Sequence, residues 1–553
     1  MSHVFVDLPF DPQREIKPNA KDPVVANNPY AKVYLYDQAG KKKRQVLWGD
    51  WLTLAEDSDL AAGQTNSSKW LWVRWAWKNP EKRQLLKVRR AFTKDVRPLE
   101  IIFVDVGIGD GCVLMSPERA GPNDDADATN QERIIVIDAG KTEHMRQFLD
   151  GRFNAYRDGF HFHAAVITHP DKDHYYGFSK ILSNSKIRFD KLYHNGIAEF
   201  PTGSKIPGMG GKIEIDGVDY LKELIETDAE MRTAFDPAVQ PQGRNYTRTI
   251  GKGIAKNNVG SFEMLSTQHG AIEDGKSWMP GFAPGDGRAY TIQILGPWIE
   301  RPGDGQTSRL RLFAGNAGKT KNGHSIILRL KYGNFSVFFG GDLNRESEKF
   351  LLQKYGKADS WPSTKAGRDA MVETAREHLS SDVMKACHHG ASDVTDEFLS
   401  AVAPAAFVIS SGDQDANYVH PRPDLLGRLG KFGSGHAPVL LSTELQRSTR
   451  DIDNRELVSK LEKDIEKLVD CDIDAHADPD FSAERQKKLQ KLLEKFGSLA
   501  LPSVAVDGAI YVKTDGNLLI TAFKKESQSQ TNKWFWYAYR LTAAGSLELL
   551  PRD

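Results

Sequence analysis

A chain of 553 residues with 74 acidic and 74 basic side chains carries no net charge, which excludes a uniformly basic nucleic-acid coat and leaves room only for a local basic patch. Hydrophobic residues make up 40%, enough for sizeable cores, and no window approaches 18 uninterrupted apolar residues; a cytoplasmic protein of two or three units with no membrane contact is expected. Cys112, Cys387 and Cys471 are too few and too scattered for a disulfide framework or a C-x-x-C metal site, which agrees with a reducing compartment.

Residues 1–30 are rich in Pro, Asn and Asp and read as an extended arm. Residues 31–98 change to short alternating runs, Lys32–Tyr36, Val46–Leu52 and Trp70–Trp75, with turn-rich gaps, the pattern of a small β-barrel or SH3-like module. Residues 1–98 hold 18 Lys plus Arg against 11 Asp plus Glu. Lys41, Lys42, Lys43 and Arg44, with Lys87, Arg89 and Arg90, supply much of the excess and lie among Trp48, Trp51, Trp70, Trp72, Trp75 and Trp77. Such a mixture can hold nucleic acid by phosphate contact and base stacking. Equally, the tryptophans can fill a small β core and the lysines form an ordinary wet face, because alternate strand positions must point inward.

Leu99–Val106 reads as a buried strand that opens the next unit, 121–131 as an acidic hairpin tip or insertion, and 141–150 as a helix. Ala164–Thr168 has the content of a buried strand and leads into His169-Pro170-Asp171-Lys172-Asp173-His174, where Pro170 stops a ladder or helix from running on. Four potential metal ligands therefore fall together on a loop at a strand end. His169 and Asp171 alternate and can point the same way, while Asp173 and His174 can turn toward a second ion. Two imidazoles and two carboxylates suit Zn²⁺ or Mn²⁺. The competing reading is a solvated turn whose acids cap a helix starting near Tyr175.

Residues 200–290, with several Pro and Gly and one helical piece over 220–233, form an insertion beside the ligand loop, either a substrate lid or a decorative subdomain. Strand character returns at Tyr290–Leu295. Ile326–Leu330 and Phe335–Phe339 predict a hairpin that delivers Gly340-Gly341-Asp342, the glycines permitting the close backbone approach that a bridging carboxylate needs. Val383–Cys387 and Ala405–Ser410 are further strands, the first ending in His388-His389-Gly390 and the second leading to a loop with His420. Over 437–500, Leu457, Val458, Leu461, Ile465, Leu468 and Val469, then Leu489, Leu492, Leu493 and Phe496, recur at helical spacing. They predict two amphipathic helices that pack on the core or pair with another subunit or a partner protein. Residues 501–553 alternate again and read as a terminal β unit. Lone histidines are more often structural than catalytic, and His161, His163, His194, His269, His436 and His476 are read that way.

The segment 169–174 resembles the H-x-[HD]-x-D-H motif of the metallo-β-lactamase fold superfamily. Asp171 in its second ligand position resembles the branch typified by the hydrolase domain of ComEC DNA-uptake proteins. Further segments agree in order: Phe103–Asp110 with an F-L-D-V-G-Q-G-D opening, Ile135–Gly140, Asn322–Ser325, Phe339–Leu343, Lys385–Gly390 and Asn417–Pro421. The resemblance implies an α/β fold, the αββα sandwich, for residues 99–436, between the N-terminal β module and a C-terminal helical plus β extension. It implies two divalent ions, Zn or Mn, with His169 and Asp171 on one, Asp173 and His174 on the other, Asp342 bridging, and His420 closing the second ion's shell. His388 or His389 would line the pocket, as a further ligand or as the acid that protonates the leaving group, and Asp105 and Asp110 would orient ligand histidines from behind. Three positions depart from the pattern. Tyr176 stands in place of a glycine, Ala391 replaces the serine of H-H-G-S, and His324 falls in a segment that normally lacks histidine, where it could restore a ligand seen in other branches.

Full-length ComEC proteins are membrane proteins, and nothing in this sequence provides their channel. What the resemblance implies is thus a nuclease acting on DNA or another phosphodiester through a bridging hydroxide, in DNA processing or defence against foreign DNA, and not DNA uptake. A small-molecule hydrolase acting on a cyclic nucleotide, phosphate ester or lactone is the second expectation. A non-enzymatic binding platform is the third, and the complete ligand set speaks against it.

Overall fold

Strands buried on both faces need cover on both sides, and the apolar runs Leu99–Phe103, Ile134–Ala139 and Phe335–Phe339 are buried along their whole length. The computed structural model that shows this describes residues 3–8, 10–17, 20, 22–76, 82–118, 132–153, 156–199, 208–238, 245–303, 305–313, 316–412, 420–443, 464, 486–492, 508–525, 529–542 and 547–551.

Two large sheets form the centre. One has the order Val259–Met264, Ile187–His194, Phe160–Val166, Ile134–Ala139, Gly111–Met115, Leu99–Phe103, Ile510–Thr514, Leu519–Lys524, Trp534–Leu541 and Leu547–Leu549. Its first four strands pair in parallel and the later pairings are antiparallel. The other runs Ala271–Glu273, Lys276–Trp278, Tyr290–Gly296, Ile327–Tyr332, Phe335–Phe339, Val383–Lys385, Ala406–Ile409 and Val439–Ser442, and is parallel only beyond Phe335–Phe339.

The period of two along each strand divides its side chains between two cores. Ile101, Phe103, Ile135 and Ile137 meet Ile294, Leu328, Val337 and Phe339 in the core between the sheets, where the rings of Phe103 and Phe339 lie 6.0 Å apart. On the far side of the second sheet, Phe338, Met384 and Phe407 pack with residues of the helices Arg345–Tyr355, Lys365–Leu379, Asp396–Val402 and Pro423–Phe432. On the far side of the first, Val136, Phe162 and Phe189 share a core with the helices His144–Arg152, Phe178–Leu182, Asp228–Phe235 and Asn245–Lys256. The architecture is therefore mixed α/β, with helices outside two facing sheets.

Several expected boundaries move. The terminal β unit is not separate: Ile510–Thr514 pairs with Leu99–Phe103, so the C-terminal strands widen the central sheet. The N-terminal segment is a seven-stranded antiparallel sheet in the order Lys42–Val46, Val33–Tyr36, Gln84–Arg89, Trp70–Trp75, Trp51–Leu54, His3–Val6 and Thr93–Lys94, and its member His3–Val6 lies in the segment read as an arm. This sheet shares a core with Tyr511, Ile520, Trp534 and Trp536 of the C-terminal strands. Polar contacts tie the seam: Lys513 Nζ donates to Trp48 O at 2.5 Å, Tyr30 Oη to Leu550 O at 2.7 Å, and Trp536 Nε1 to Pro29 O at 3.0 Å. Glu100, buried beside it, lies 3.3 Å from Lys513 Nζ and 3.1 Å from Arg152, which gives a buried carboxylate the partners it needs.

The tryptophans follow the packing reading more closely than the stacking one. Trp48 and Trp72 are buried, Trp75 packs on the core, and Trp51 stacks on His3 at 3.8 Å, while Trp77 lies outside the described residues. In the insertion, the piece expected as helix over 220–233 splits into the strand Val218–Leu221 and the helix Asp228–Phe235, whose N-cap Thr227 forms a capping box with Glu230. Val439–Ser442 completes the second sheet where helix was expected, and of the two amphipathic helices only 464 and 486–492 fall among the described residues, both helical. No described helix is long and apolar enough to cross a membrane. Cys112 and Cys387 are buried and free; Cys471 and the acidic loop 121–131 lie outside the described residues.

Candidate metal centre

The site collects at the C-terminal ends of strands from both large sheets, where loops can converge without breaking a ladder. His169 to His174 follow Phe160–Val166, Asp342 follows Phe335–Phe339, His388 and His389 follow Val383–Lys385, and Asp138 lies near the end of Ile134–Ala139. The segment read as a ligand loop closes into one helical turn, Lys172–Tyr175, with extended Asp171 before it.

Three imidazoles are held at Nδ1 from behind. Asp138 accepts from Thr168 N at 2.8 Å and Thr168 Oγ1 at 2.7 Å and stands 2.8 Å from His174 Nδ1. Asp110 Oδ1 lies 3.0 Å from His389 Nδ1, and Lys385 Nζ, which contacts Asp110 Oδ2, donates to Gly341 O at 2.9 Å. His169 Nδ1 faces Ser325 Oγ at 3.2 Å and Thr168 Oγ1 at 3.1 Å. Nδ1 held in this way leaves Nε2 to face forward. His174 Nε2 and His389 Nε2 lie 3.2 and 3.1 Å from Asp342 Oδ2, both buried and neither with a hydrogen-bond partner.

The backbone is bent to serve this point. His388 and His389 have φ of 48° and 53°, a region sparsely populated by non-glycine residues, and the turn places the His389 ring inside while the His388 side chain stays 31% exposed, its Nε2 4.0 Å from Asp342 Oδ2. At Gly109, φ is +104° and a Cβ would lie 1.8 Å from the carbonyl oxygen of Asp173, so only glycine lets the loop carrying Asp110 reach the ligand turn. Gly341 has φ +50°, and a Cβ there would meet Ser325 Cβ at 2.5 Å.

Burial disfavours charge on every group in the cluster, and the partners decide the outcome. It raises the Asp342 carboxyl, but His389, His174 and His388 outweigh it and hold the pKa well below the usual carboxylate range. It lowers His174, which the Asp342 and Asp138 carboxylates nevertheless hold well above the ordinary imidazole value. His169, buried and beside His174, is driven well down and stays neutral. Asp110, His174, Asp342 and His389 each offer an atom within 4.8 Å of the others and could hold a metal ion. Both Asp110 oxygens also have protein partners, His389 Nδ1 and Lys385, and Asp173 Oδ2 stands 3.5 Å from His389 Nε2.

The structure places His174 and His389 at Asp342, with Asp173 beside His389, and gives other candidates different company. His389 stands beside Asp173 and Asp342, and the His420 ring lies 6.2 Å from that of His388. Asp171 Oδ2 is 3.7 Å from His169 Nε2, but its other oxygen is taken by Lys321. His324 is no ligand: its Nε2 bonds Arg311 O at 2.7 Å and its ring lies against Phe313. Asp105 accepts from Gly107 N at 3.1 Å, and Asp110 Oδ1 lies 3.0 Å from His389 Nδ1. Asp138, Ser325, Lys385 and Lys321 were not singled out by sequence reasoning, although the first three lie in the segments that carry the resemblance. The histidines read as structural have other company: His161 bonds Asp190 at 2.5 Å, His163 lies 3.6 Å from the same carboxylate, His194 accepts from Gly196 N, and His269 lies between Ser266 and Glu226. The side chain of His436 and the whole of His476 fall outside the described residues.

The basic set on the N-terminal sheet is partly spent at home. Lys41, Lys42 and Lys43 are exposed on or beside an edge strand, whereas Arg44 lies over Trp75 and donates to Gln530, Lys87 donates to Gln38 O, Arg89 lies over Phe92, and Arg90 donates to Ser67 O. No protein-family model matches the chain, and no curated protein matches it.

Proposed function

We propose that this chain is a metal-dependent hydrolase of the metallo-β-lactamase fold, close in kind to the ComEC-like branch, that cuts phosphodiesters, with DNA as the first substrate to test. The observation that carries the reading is the convergence of two buried imidazole Nε2 atoms on the Asp342 carboxylate, each ring bound from behind at Nδ1. Two imidazole nitrogens and a carboxylate oxygen gathered at one buried point are the donors that a divalent cation takes. Asp173, His174, His389 and Asp342 would hold the ion, and their mixture of nitrogen and oxygen suits Zn²⁺ or Mn²⁺. A divalent ion, when bound, supplies a polarised phosphoryl oxygen and a water nucleophile near neutral pH.

The chain's own residues do the rest. Asp138 and Asp110 fix two ring tautomers, Lys385 holds Asp110 and the Gly341 carbonyl in place, and His388, half-buried at the edge, gives a proton to the leaving oxygen. A second reading, hydrolysis of a small ester, is favoured by the insertion, whose helix Asn245–Lys256 sets Tyr246 against Tyr175 of the ligand turn at 4.9 Å.

The test is hydrolysis of linear single- and double-stranded DNA, circular DNA and bis(p-nitrophenyl) phosphate by the full chain with Mn²⁺ or Zn²⁺, beside Asp173→Asn. DNA cleavage by the wild type alone is the expected result. Cleavage of the small ester only would select the second reading, and equal activity of Asp173→Asn would overturn both.

A further inference from the structure

The two halves of the ligand set differ in what already neutralises them. At Asp342 Oδ2, imidazole nitrogens face the carboxylate, and Lys385 stands 3.6 Å from the other oxygen while it binds Asp110. At Asp171 the counter-charge is an ammonium that touches it directly. Lys321, on the helix Ala317–Gly323, contacts Asp171 Oδ1 and lies 3.5 Å from Glu199 Oε1, with its side chain only 15% exposed. Asn322, with its amide nitrogen turned inward, donates to Asp171 Oδ2 at 2.7 Å, the oxygen that faces His169 Nε2 at 3.7 Å. Both oxygens of Asp171 are thus engaged.

We propose that Lys321 supplies the positive charge that a second metal ion would bring to Asp171, so that each chain holds one tightly bound ion, at Asp173, His174, His389 and Asp342. The inference rests on the metal reading of the site. An ion shared by His169 and Asp171 would sit within a few ångströms of the Lys321 ammonium, in a partly buried place where like charges are poorly screened. Displacing Lys321 would strip Glu199 and Asp171 of a shared cation together. The arrangement makes the His169 half a place for a fixed, monovalent donor.

The experiment counts metal in the full chain, stripped with chelator, reloaded with Mn²⁺ or Zn²⁺ and desalted, by mass spectrometry of the bound element and by calorimetric stoichiometry. Wild type should hold one ion, Lys321→Arg one, and Lys321→Met two, the last with the spectrum of a coupled pair when Mn²⁺ is loaded; circular dichroism checks the fold of each. Two ions in the wild type would overturn the Lys321 assignment while leaving the metal reading intact, and this arm stands even if Lys321→Met does not fold. A folded Lys321→Met that still holds one ion would also overturn it. No ion in the wild type would overturn both.

Discussion

Asp138→Asn isolates the orienting role of a residue that faces His174 at Nδ1 and lies outside the proposed ligand set. The amide oxygen can keep the bond from Thr168 N, now 2.8 Å from Oδ1, while nitrogen replaces the oxygen that faces Thr168 Oγ1 at 2.7 Å and His174 Nδ1 at 2.8 Å. An amide nitrogen can only donate, so His174 must carry its proton on Nε2, the atom 3.2 Å from Asp342 Oδ2. The ring would then turn a hydrogen toward the ion. Loss of such an orienting partner weakens metal binding by about 10- to 100-fold, or about 1.4 to 2.7 kcal/mol. Folding should suffer less than in Asp138→Ala, which leaves the buried Thr168 N–H without an acceptor at about 1–3 kcal/mol. Calorimetric titration with Zn²⁺ or Mn²⁺, beside urea unfolding of the metal-free forms, separates the two effects. An Asn variant that binds the ion as tightly as wild type would refute the tautomer argument.

Glu348 is buried in the helix Arg345–Tyr355, and burial pushes its carboxyl up to about 8 from 4.5, Thr395 offsetting only part of this. A raised acid stays protonated in the fold while the unfolded chain ionises, so wild-type stability should fall by up to about 1.4 kcal/mol per pH unit between about 4.5 and about 8, and Glu348→Gln should remove that slope. Urea midpoints from pH 5 to 8 that run parallel for the two proteins would sink this account. Replacing the exposed Lys41, Lys42 and Lys43 together by Glu should weaken DNA binding at low salt and flatten its salt slope by about 0.9 for each phosphate that is no longer neutralised. Unchanged binding would leave these lysines as an ordinary wet surface. Deleting residues 1–98 is a poorer test, because their sheet shares a core with Tyr511 and Trp536.

What the sequence made legible was local. The candidates of 169–174 stand out because four potential donors crowd one short stretch behind an apolar strand, and Asp342 because a glycine pair precedes it. Which of His388 and His389 turns inward depended on a backbone turn with positive φ at both, which no spacing rule signals. Lys321 is one lysine among many until the fold lays its helix against Asp171. The strand pattern of 510–520 was readable, but its partner was not, since alternation says that a strand exists and nothing about which edge it joins.

That edge has a consequence for how the molecule is made. Leu99–Phe103 emerges from the ribosome long before Ile510–Thr514, its neighbour in the sheet. At about 5–20 residues per second the strand next to the metal loops waits on the order of 20–80 s with unpaired amides along one side. An open edge of that kind invites pairing with other chains. The N-terminal sheet cannot finish its own burial in that interval either, because the surface it rests on is carried by the same late strands. Assembly of the centre therefore waits for residues 510–541, and a message truncated before residue 510 would yield a chain with every candidate ligand and an unfinished sheet.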